Sequence, residues 1–282
     1  MKKMIAVLLA SLVLLSALAC TSEAKKEAEQ SAADGFEAIV IADNDQCVAK
    51  ITGMEYDRFF GNTLNVYLEN RSLTRSYDFA VMDAYVNGVE WSPFFIREVG
   101  PRKSDTGKIQ FVNISLEERI PEFTDIELIF TVSDSNDRQA EDIVHESVHI
   151  YPLGKEKAAT YTHEPQPGDL VLEDNDQFSA VVTGYPTDTA GGLIMELFLT
   201  NKTDEKLMFW VSDVTVNGYE IDPFWAHSLK GGRMAYGMIY FLQTDFDRYG
   251  IKEVETIRMK LNVSDYEMTD SYTFEKEVTV NP

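Results

Sequence analysis

Val216-Asn217-Gly218 ends a largely apolar run, and Val86-Asn87-Gly88 repeats it in the first half of the chain. Asn-Gly readily adopts the positive φ angles of a two-residue type I′ turn, so each copy predicts a β-hairpin. Further repeats keep the same order on both sides of this turn. Each recurs about 130 positions later: Asp43-Asn44-Asp45-Gln46 as Asp174-Asn175-Asp176-Gln177, Thr52-Gly53 as Thr183-Gly184, Asn70 as Asn201, Pro93-Phe94 as Pro223-Phe224, and Val132-Ser133-Asp134 as Val263-Ser264-Asp265. The chain is therefore predicted to be a tandem duplication, in which a residue present in one copy alone is not required by the fold.

Each copy has the pattern of short β-strands. In the second copy, apolar or alternating runs separated by turn residues span 178–184, 193–200, 206–216, 233–242, 255–263 and 272–280. Residues 115–118 and 244–247 each place a hydroxyl three residues before an acid, as a capping box does, and Gly250 could end the second helix. The predicted fold class is all-β, with two tandem immunoglobulin-like antiparallel β-sandwich domains, each with a short helical crossover. A jelly roll or a small barrel could share this pattern.

The beginning of the chain has the features of an export signal. Lys2 and Lys3 precede an apolar stretch, and Ala17-Leu18-Ala19-Cys20 forms a small-residue cleavage site. This pattern resembles a bacterial lipoprotein signal, with Ala17 where such signals most often carry leucine. The resemblance implies lipid attachment at Cys20 and contact with the membrane through that lipid. Plain secretion and an uncleaved anchor are the alternatives.

Composition sets the remaining boundaries. Residues 1–19 are the predicted signal peptide, and 20–35 are the lipidated cysteine with a predicted disordered tether that lacks aromatic residues. The first domain is predicted at 36–152 and the second at 169–282. The segment 153–168, with two prolines and several charges, has linker composition.

Charge and cysteine content narrow the function classes. The formal net charge is −22, which opposes binding to nucleic acid and to anionic lipid headgroups, because both draw affinity from Lys and Arg. Calcium, cationic peptides or a basic partner remain open. With Cys20 lipidated, Cys47 has no disulfide partner. Its counterpart is Phe178, so it is expected to pack as a small apolar residue on a strand.

The lipoprotein cysteine and the polar tether occur together with the run 193–201, Val216-Asn217-Gly218-Tyr219, Pro223 and Gly231-Gly232. On these residues the second copy resembles the immunoglobulin-like domains of uncharacterised lipoproteins from clostridia and related bacteria. The first copy resembles them more loosely, since Val89 replaces the hairpin tyrosine. The resemblance implies a fold and a location, and it implies no catalytic residues.

His145-Glu146-Ser147-Val148-His149 matches the His-Glu-x-x-His pattern of zinc proteases, which requires a helix to bring both imidazoles to one metal. The segment aligns with 275–279 near the end of the second copy, inside a predicted strand. On a strand, residues four apart are separated by about 13 Å. We therefore expect this stretch to be extended and to hold no zinc.

Two further patterns leave alternatives open. The paired Asp-Asn-Asp segments could supply oxygen ligands to calcium, although Asp and Asn also initiate turns by accepting backbone N–H bonds, which is the favoured interpretation. Trp91, Phe95 and Trp225 are candidate binding residues on an exposed aromatic platform. Phe94 and Phe224 are equivalent and are instead expected to anchor each hairpin to the core.

The chain carries no Gly-x-Ser-x-Gly motif, Gly-rich phosphate loop or Cys-x-x-Cys pair. The sequence therefore predicts a non-enzymatic, lipid-anchored, extracytoplasmic protein of the bacterial cell envelope. It would bind an envelope protein or glycan, or act as a structural component, with no cofactor and no nucleic acid partner. A passive spacer or envelope-stress component is one alternative, and a zinc hydrolase using His145 and His149 is the enzymatic one.

Overall fold

The computed structural model describes residues 36–59, 61–93, 95–111, 114–137, 139–187, 190–267 and 273–282. The predicted signal peptide 1–19 and the segment 20–35 with Cys20 lie outside these residues. No helix in the described part of the chain is both long and apolar enough to cross a membrane. The chain divides into two compact units, one formed by residues up to Asn87 and Trp91–Thr160, the other by Gly88–Glu90 and Tyr161–Pro282.

The first unit is built from antiparallel strands and one short helix. Its elements are β1 Ile39–Asp43, β2 Cys47–Asp57, β3 Gly61–Asn70, β4 Tyr77–Val86, β5 Val89–Trp91, β6 Ile96–Val99, β7 Ser104–Gln110, α1 Ile114–Arg119, β8 Ile126–Asp134 and β9 Val144–Ile150. Strand β5 is divided between the units, since only its last residue, Trp91, belongs to the first. One set of strands pairs in the order β1-β2-β3-β7. The other has the order β5-β4-β8-β9, with β6 also paired to β4.

The second unit repeats this arrangement. Its elements are β10 Leu170–Asp174, β11 Phe178–Gly184, β12 Leu193–Asn201, β13 Leu207–Val216, β14 Tyr219–Glu220, β15 Ala226–Leu229, β16 Met234–Phe241, α2 Gln243–Tyr249, β17 Ile257–Asp265 and β18 Thr273–Val280. One set has the order β10-β11-β12-β16. The other has the order β14-β13-β17-β18, with β15 paired to β13. Strand by strand, this is the pairing of the first unit.

The all-β prediction is confirmed. In β11 the side chains alternate between buried and half-buried positions, as expected for a strand that covers a core with one face. Both sets of strands in the second unit contribute to one apolar core, which includes Phe178, Leu197, Phe209, Ile239 and Leu261. The unit is therefore a two-layer sandwich, with β11, β12 and β16 packed against β13 and β17.

The Asn-Gly hairpins adopt the predicted turn. Asn87 and Gly88 have φ angles of 53° and 83°, and Asn217 and Gly218 have φ angles of 50° and 87°. The Asn87 side chain also accepts the backbone N–H groups of Thr124 and Asp125. Asn217 accepts those of Glu255 and Thr256 in the same way. Each turn is thereby attached to the segment that leads from the helix into the next strand.

A second pair of asparagines is buried where the chain leaves β3 and β12. Asn201 is 0% exposed, and its Nδ2 donates to the carbonyl oxygens of Glu205 and Leu229 at 2.8 and 2.9 Å. Its Oδ1 accepts the backbone N–H and the hydroxyl of Thr203. In the first unit the amide of Asn70 donates to the carbonyls of Arg75 and Val99, both at 2.8 Å. One amide thus joins two loops in each unit.

The Asp-Asn-Asp segments form turns, as favoured by the sequence. Asn44 Oδ1 accepts the N–H groups of Gln46 and Cys47 at 2.8 and 2.9 Å. Asn175 Oδ1 accepts those of Gln177 and Phe178 at 2.9 and 3.0 Å. These are Asx turns, and they account for the repetition of the motif without a bound cation.

The capping-box prediction is wrong for the second copy. Helix α2 begins at Gln243, its N-cap is Leu242 without a side-chain hydrogen bond, and Thr244 lies inside the helix. Gly250 does end α2, in the left-handed conformation at φ 67°. Helix α1 begins at Ile114, so the residue corresponding to the expected cap lies inside the helix there as well.

Cys47 is a core residue. Its side chain is 0% exposed, as is that of its counterpart Phe178, which confirms the expected apolar strand position. Burial raises the pKa of the Cys47 thiol to about 11. The thiolate required for nucleophilic chemistry is therefore scarce near neutral pH.

We expect Asn201→Ala to lower the free energy of unfolding by about 2–4 kcal/mol, because it leaves buried carbonyl and N–H groups without their partner. Urea denaturation followed by tryptophan fluorescence would measure the change. Glu205→Ala is the matched control: its backbone carbonyl can still accept from Asn201, so we expect a change within about 0.5 kcal/mol. Equal stability of the two variants would contradict the bridging role of Asn201.

Candidate functional site

The predicted aromatic platform is not present in the first unit. Trp91 is 2% exposed and Phe95 is 7% exposed. The Trp91 ring packs edge-on against Phe111 and Phe123, with centroid separations of 6.2 and 5.1 Å. Both candidate binding residues are therefore core residues, and their assignment to an exposed platform is corrected.

Phe95 and Trp225 instead cover equivalent glycines. A Cβ atom on Gly107 of β7 would lie 2.9 Å from Phe95 Cε2, and one on Gly237 of β16 would lie 3.1 Å from Trp225 Cζ2. In each unit an aromatic ring thus rests directly on the backbone of the corresponding strand, β7 or β16. Trp225 is half-buried in this position, which gives it a packing role rather than the predicted role of a free contact surface.

We expect Gly107→Ala to destabilise the first unit by about 1–3 kcal/mol, because the added methyl group overlaps the Phe95 ring. Phe95→Leu in the same chain should recover part of the loss, since it removes the clashing ring atoms. Thermal unfolding of the two single variants and the double variant would test this coupling. If the changes in stability of the two single variants add up to that of the double variant, the Phe95 ring and residue 107 are not in contact.

Phe224, next to Trp225 in the same loop, lies in solvent. Its side chain is 95% exposed, and its φ angle is 42°, in the left-handed region. Its N–H donates to Asp222 Oδ1 at 3.0 Å, which holds the loop in this conformation. The prediction that Phe224 anchors the hairpin to the core is wrong. Phe94, its counterpart, lies outside the described residues.

The backbone conformation explains the exposure. Positive φ is uncommon for a bulky side chain, and such strain persists only where the surrounding structure enforces it. At Phe224 it breaks the alternation of the loop, so that Trp225 turns inward onto Gly237 and Phe224 projects outward. The fold gains no packing from the Phe224 ring, although both copies carry phenylalanine at this position.

A pair of exposed tyrosines lies beside the Asn217-Gly218 turn. Tyr219 on β14 and Tyr249 at the end of α2 stack with their centroids 5.1 Å apart, and they are 47% and 36% exposed. Leu242, at the start of the same helix, is 51% exposed. The second unit therefore presents several large apolar side chains to solvent.

The outer face of β10, β11, β12 and β16 carries a row of apolar residues. Cross-strand register places Val171, Val181, Phe198 and Tyr236 side by side. The same row in the first unit consists of Val40, Lys50, Tyr67 and Thr106. The second copy thus has a more apolar outer face, and Phe198 is nevertheless only 5% exposed.

The segment 161–169, which we call the strap, packs on Phe198 and Tyr236 of this row. The His163 ring stacks on Phe198 with centroids 4.9 Å apart, and Tyr161 meets Phe198 edge-on at 5.9 Å. The hydroxyl groups of Tyr161 and Tyr236 are 2.8 Å apart. The sequence placed these residues in the linker 153–168, whereas Tyr161 onward belongs to the second compact unit.

A buried hydrogen bond between His163 and Asp169 fixes the strap. The side chains of His163 and Asp169 are 14% and 7% exposed, and His163 Nε2 lies 2.8 Å from Asp169 Oδ2. Because a carboxylate only accepts, Nε2–H donates in this contact, and His163 Nδ1 faces the Tyr236 hydroxyl at 3.3 Å. Asp169 Oδ2 also accepts the N–H of Gln166 at 2.8 Å. These hydrogen bonds join the strap to itself and to β16, and so hold it in place.

We expect His163→Ala to loosen the strap, because it removes both the stacking on Phe198 and the bond to Asp169. Amide hydrogen exchange of residues 161–168 should become faster by at least about tenfold, the equivalent of one lost hydrogen bond of roughly 1.4 kcal/mol. His145→Ala, which removes an exposed histidine from β9, is the control and should leave this segment unchanged. Equal exchange rates in the two variants would show that His163 does not hold the strap.

The His-Glu-x-x-His segment is extended, as predicted, and forms β9. His145 and Glu146 are exposed, and His145 Nδ1 lies 3.1 Å from Asp142 Oδ2. His149 Nδ1 lies 2.8 Å from Asp125 Oδ1, and its ring stacks on Tyr151. The helix that zinc-protease chemistry needs is absent from this segment, so the motif match provides no metal centre.

Comparisons with known proteins add little. No family model and no curated protein matches the chain. Among solved structures, it is similar to the exo-chitosanase CsxA of Amycolatopsis orientalis, at 14% identity and a TM-score of 0.22, over 82% of this chain and 26% of the chitosanase. An oxalate decarboxylase structure gives 10% identity and a TM-score of 0.13, over 87% of this chain and 79% of that one. The chain spans about a quarter of the chitosanase, and similarity at this level assigns no activity.

Proposed function

We propose that the chain is a non-enzymatic binding protein of the bacterial cell envelope, lipid-anchored at Cys20 on the extracytoplasmic side. The signal-like sequence that ends at Cys20 supports the location. The identical strand pairing of the two units supports two tandem immunoglobulin-like domains. Such sandwiches host many functions, so the binding role has to be argued from particular side chains.

Phe224 carries the proposal. The two copies share a Pro-Phe pair, and yet Phe224 is 95% exposed and adopts φ 42°. Phenylalanine occurs at this position in both copies, and at Phe224 the backbone is strained and the ring packs against no core residue. We infer that the ring contacts another molecule. Large aromatic side chains that enter a pocket on a partner dominate many protein interfaces.

The partner that fits this loop is a protein with an apolar pocket and a basic rim. Glu220 and Asp222 flank the loop and are exposed, and the whole chain has a net charge of −22. Complementary charge on the partner would speed the encounter and orient it, while the Phe224 ring would provide the buried contact. The Tyr219–Tyr249 stack lies on the same unit and could extend the contact area.

The direct test places the photoreactive amino acid p-benzoylphenylalanine at position 224 in cells that express the full chain. We expect irradiation to link the chain to one envelope protein. Leu242→p-benzoylphenylalanine is the matched control, since Leu242 is 51% exposed in the same unit. A link to cell-wall glycan would contradict a protein partner. An identical pattern at both positions would contradict the binding role and favour a passive spacer.

Phe224→Ala separates binding from folding. Because the ring is exposed, we expect the free energy of unfolding to change by no more than about 0.5 kcal/mol, whereas Trp225→Ala should cost about 3 kcal/mol or more. Urea denaturation would measure both. Loss of the cross-linked partner in the stable Phe224→Ala chain, probed from a second photoreactive position at Tyr219, would then reflect recognition. A strongly destabilised Phe224→Ala variant would show that the ring serves the fold.

A further inference from the structure

The hairpin between β2 and β3 ends in residues 56–59, which we call the hairpin tip. Tyr56 and Phe59 are each 70% exposed. The Arg58 guanidinium lies over the Phe59 ring, 4.4 Å from its centroid. Asp57 Oδ1 accepts the N–H of Phe59 at 2.7 Å and closes the turn. The tip therefore presents two aromatic rings and one cation to solvent from a short, closed turn.

The second copy shows that the fold does not require these side chains. The residues that correspond to 56–59 are Thr187, Asp188, Thr189 and Ala190, without an aromatic ring or a cation. Both hairpins nevertheless connect paired strands, β2 with β3 and β11 with β12. The aromatic residues and the arginine are thus additions to the first copy.

The charge around the tip differs from that of the whole chain. Lys108 on β7 forms an ion pair with Glu55, the residue before Tyr56. Glu55 and Asp57 carry two formal negative charges, and Arg58 and Lys108 carry two formal positive charges. These four residues therefore sum to zero, in a chain of net charge −22. A lipid headgroup layer, which would repel most of the acidic surface, would not repel the tip.

Strand register places the tip at the end of the unit from which the chain enters. β1 runs antiparallel to β2, with Ile39 opposite Ile51 and Asp43 opposite Val48. Residues before Ile39 therefore approach from the side of Asp57, where β2 ends. The sixteen residues 20–35, which begin with Cys20, directly precede the described chain. Fully extended, they span at most about 55 Å, so lipid at Cys20 would keep the tip near the bilayer.

We propose that the hairpin tip contacts the headgroup interface of the bilayer that holds the lipid anchor, through Tyr56, Phe59 and Arg58. Tyrosine favours the membrane interface because it has an apolar ring and a polar end, and arginine can reach the phosphate groups. Two rings bind a bilayer weakly by themselves. Attachment at Cys20, on which this inference rests, makes the contact intramolecular and raises its effective concentration.

The test uses the lipidated full chain in vesicles of phosphatidylcholine and phosphatidylglycerol at a ratio of about 4:1, doped with phosphatidylcholine that carries a nitroxide spin label on its headgroup. The nitroxide quenches tryptophan at the headgroup interface, where aromatic side chains are enriched. We expect Phe59→Trp to lose about half of its added emission, as for a residue at headgroup depth. Leu73→Trp is the control, because Leu73 is 66% exposed and follows β3 at the opposite end of the unit. The native tryptophans are common to both variants.

Vesicle flotation separates this inference from the proposed lipid attachment. If the chain floats with the vesicles and Phe59→Trp is quenched no more than Leu73→Trp, the tip contact is overturned and the anchor stands. If the chain does not float, the lipid attachment fails, and the tip contact that depends on it fails as well. Flotation together with selective quenching at position 59 supports both.

Discussion

The buried amides of Asn70 and Asn201 hold the two layers of each unit together. Each amide bonds both to the loop that leaves β3 or β12 and to the end of β6 or β15. These are the places where the chain crosses between strand sets. Asn87 and Asn217 make a similar connection at the hairpins, to the segments that follow the helices. A buried carbonyl without a hydrogen-bond donor destabilises the folded state. The asparagine amides therefore favour the one path of these connecting loops that brings the strands into the observed pairing.

The repeated strand pairing allows the features common to both units to be told from those found in one. The asparagine turns, the aromatic rings on Gly107 and Gly237 and the strand pairing occur in both units. The strap over Phe198 is part of the second unit, and most of the corresponding segment of the first unit lies outside the described residues. The tip residues Tyr56, Arg58 and Phe59 occur in the first copy only. Phe224 is a third case, since it is repeated in sequence but not buried.

The sequence predicted most of the fold because its signals are local. Alternation gives β11 its bounds, Asn-Gly requires positive φ, and alignment with the last strand shows that the His145 segment is extended. The orientation of the aromatic residues could not be predicted, since one residue at positive φ reverses which of Phe224 and Trp225 faces the core. The strap was not predicted because its prolines and charged residues are typical of a linker. Nothing in the sequence distinguishes His163 and Asp169, whose side chains are largely buried, from exposed polar residues. The apolar outer residues Val181 and Phe198 were the available signal for it.

We propose that one sandwich, tied together by its buried asparagine amides, has been duplicated, and that the strap is part of the fold of the second unit. Isolated fragments test this most directly. A fragment of residues 161–282 should give a dispersed amide NMR spectrum and unfold cooperatively. A fragment of residues 170–282, without the strap, should unfold at a lower temperature because Phe198 and Tyr236 become exposed. An unfolded 161–282 fragment, or equal melting temperatures of the two fragments, would contradict the account.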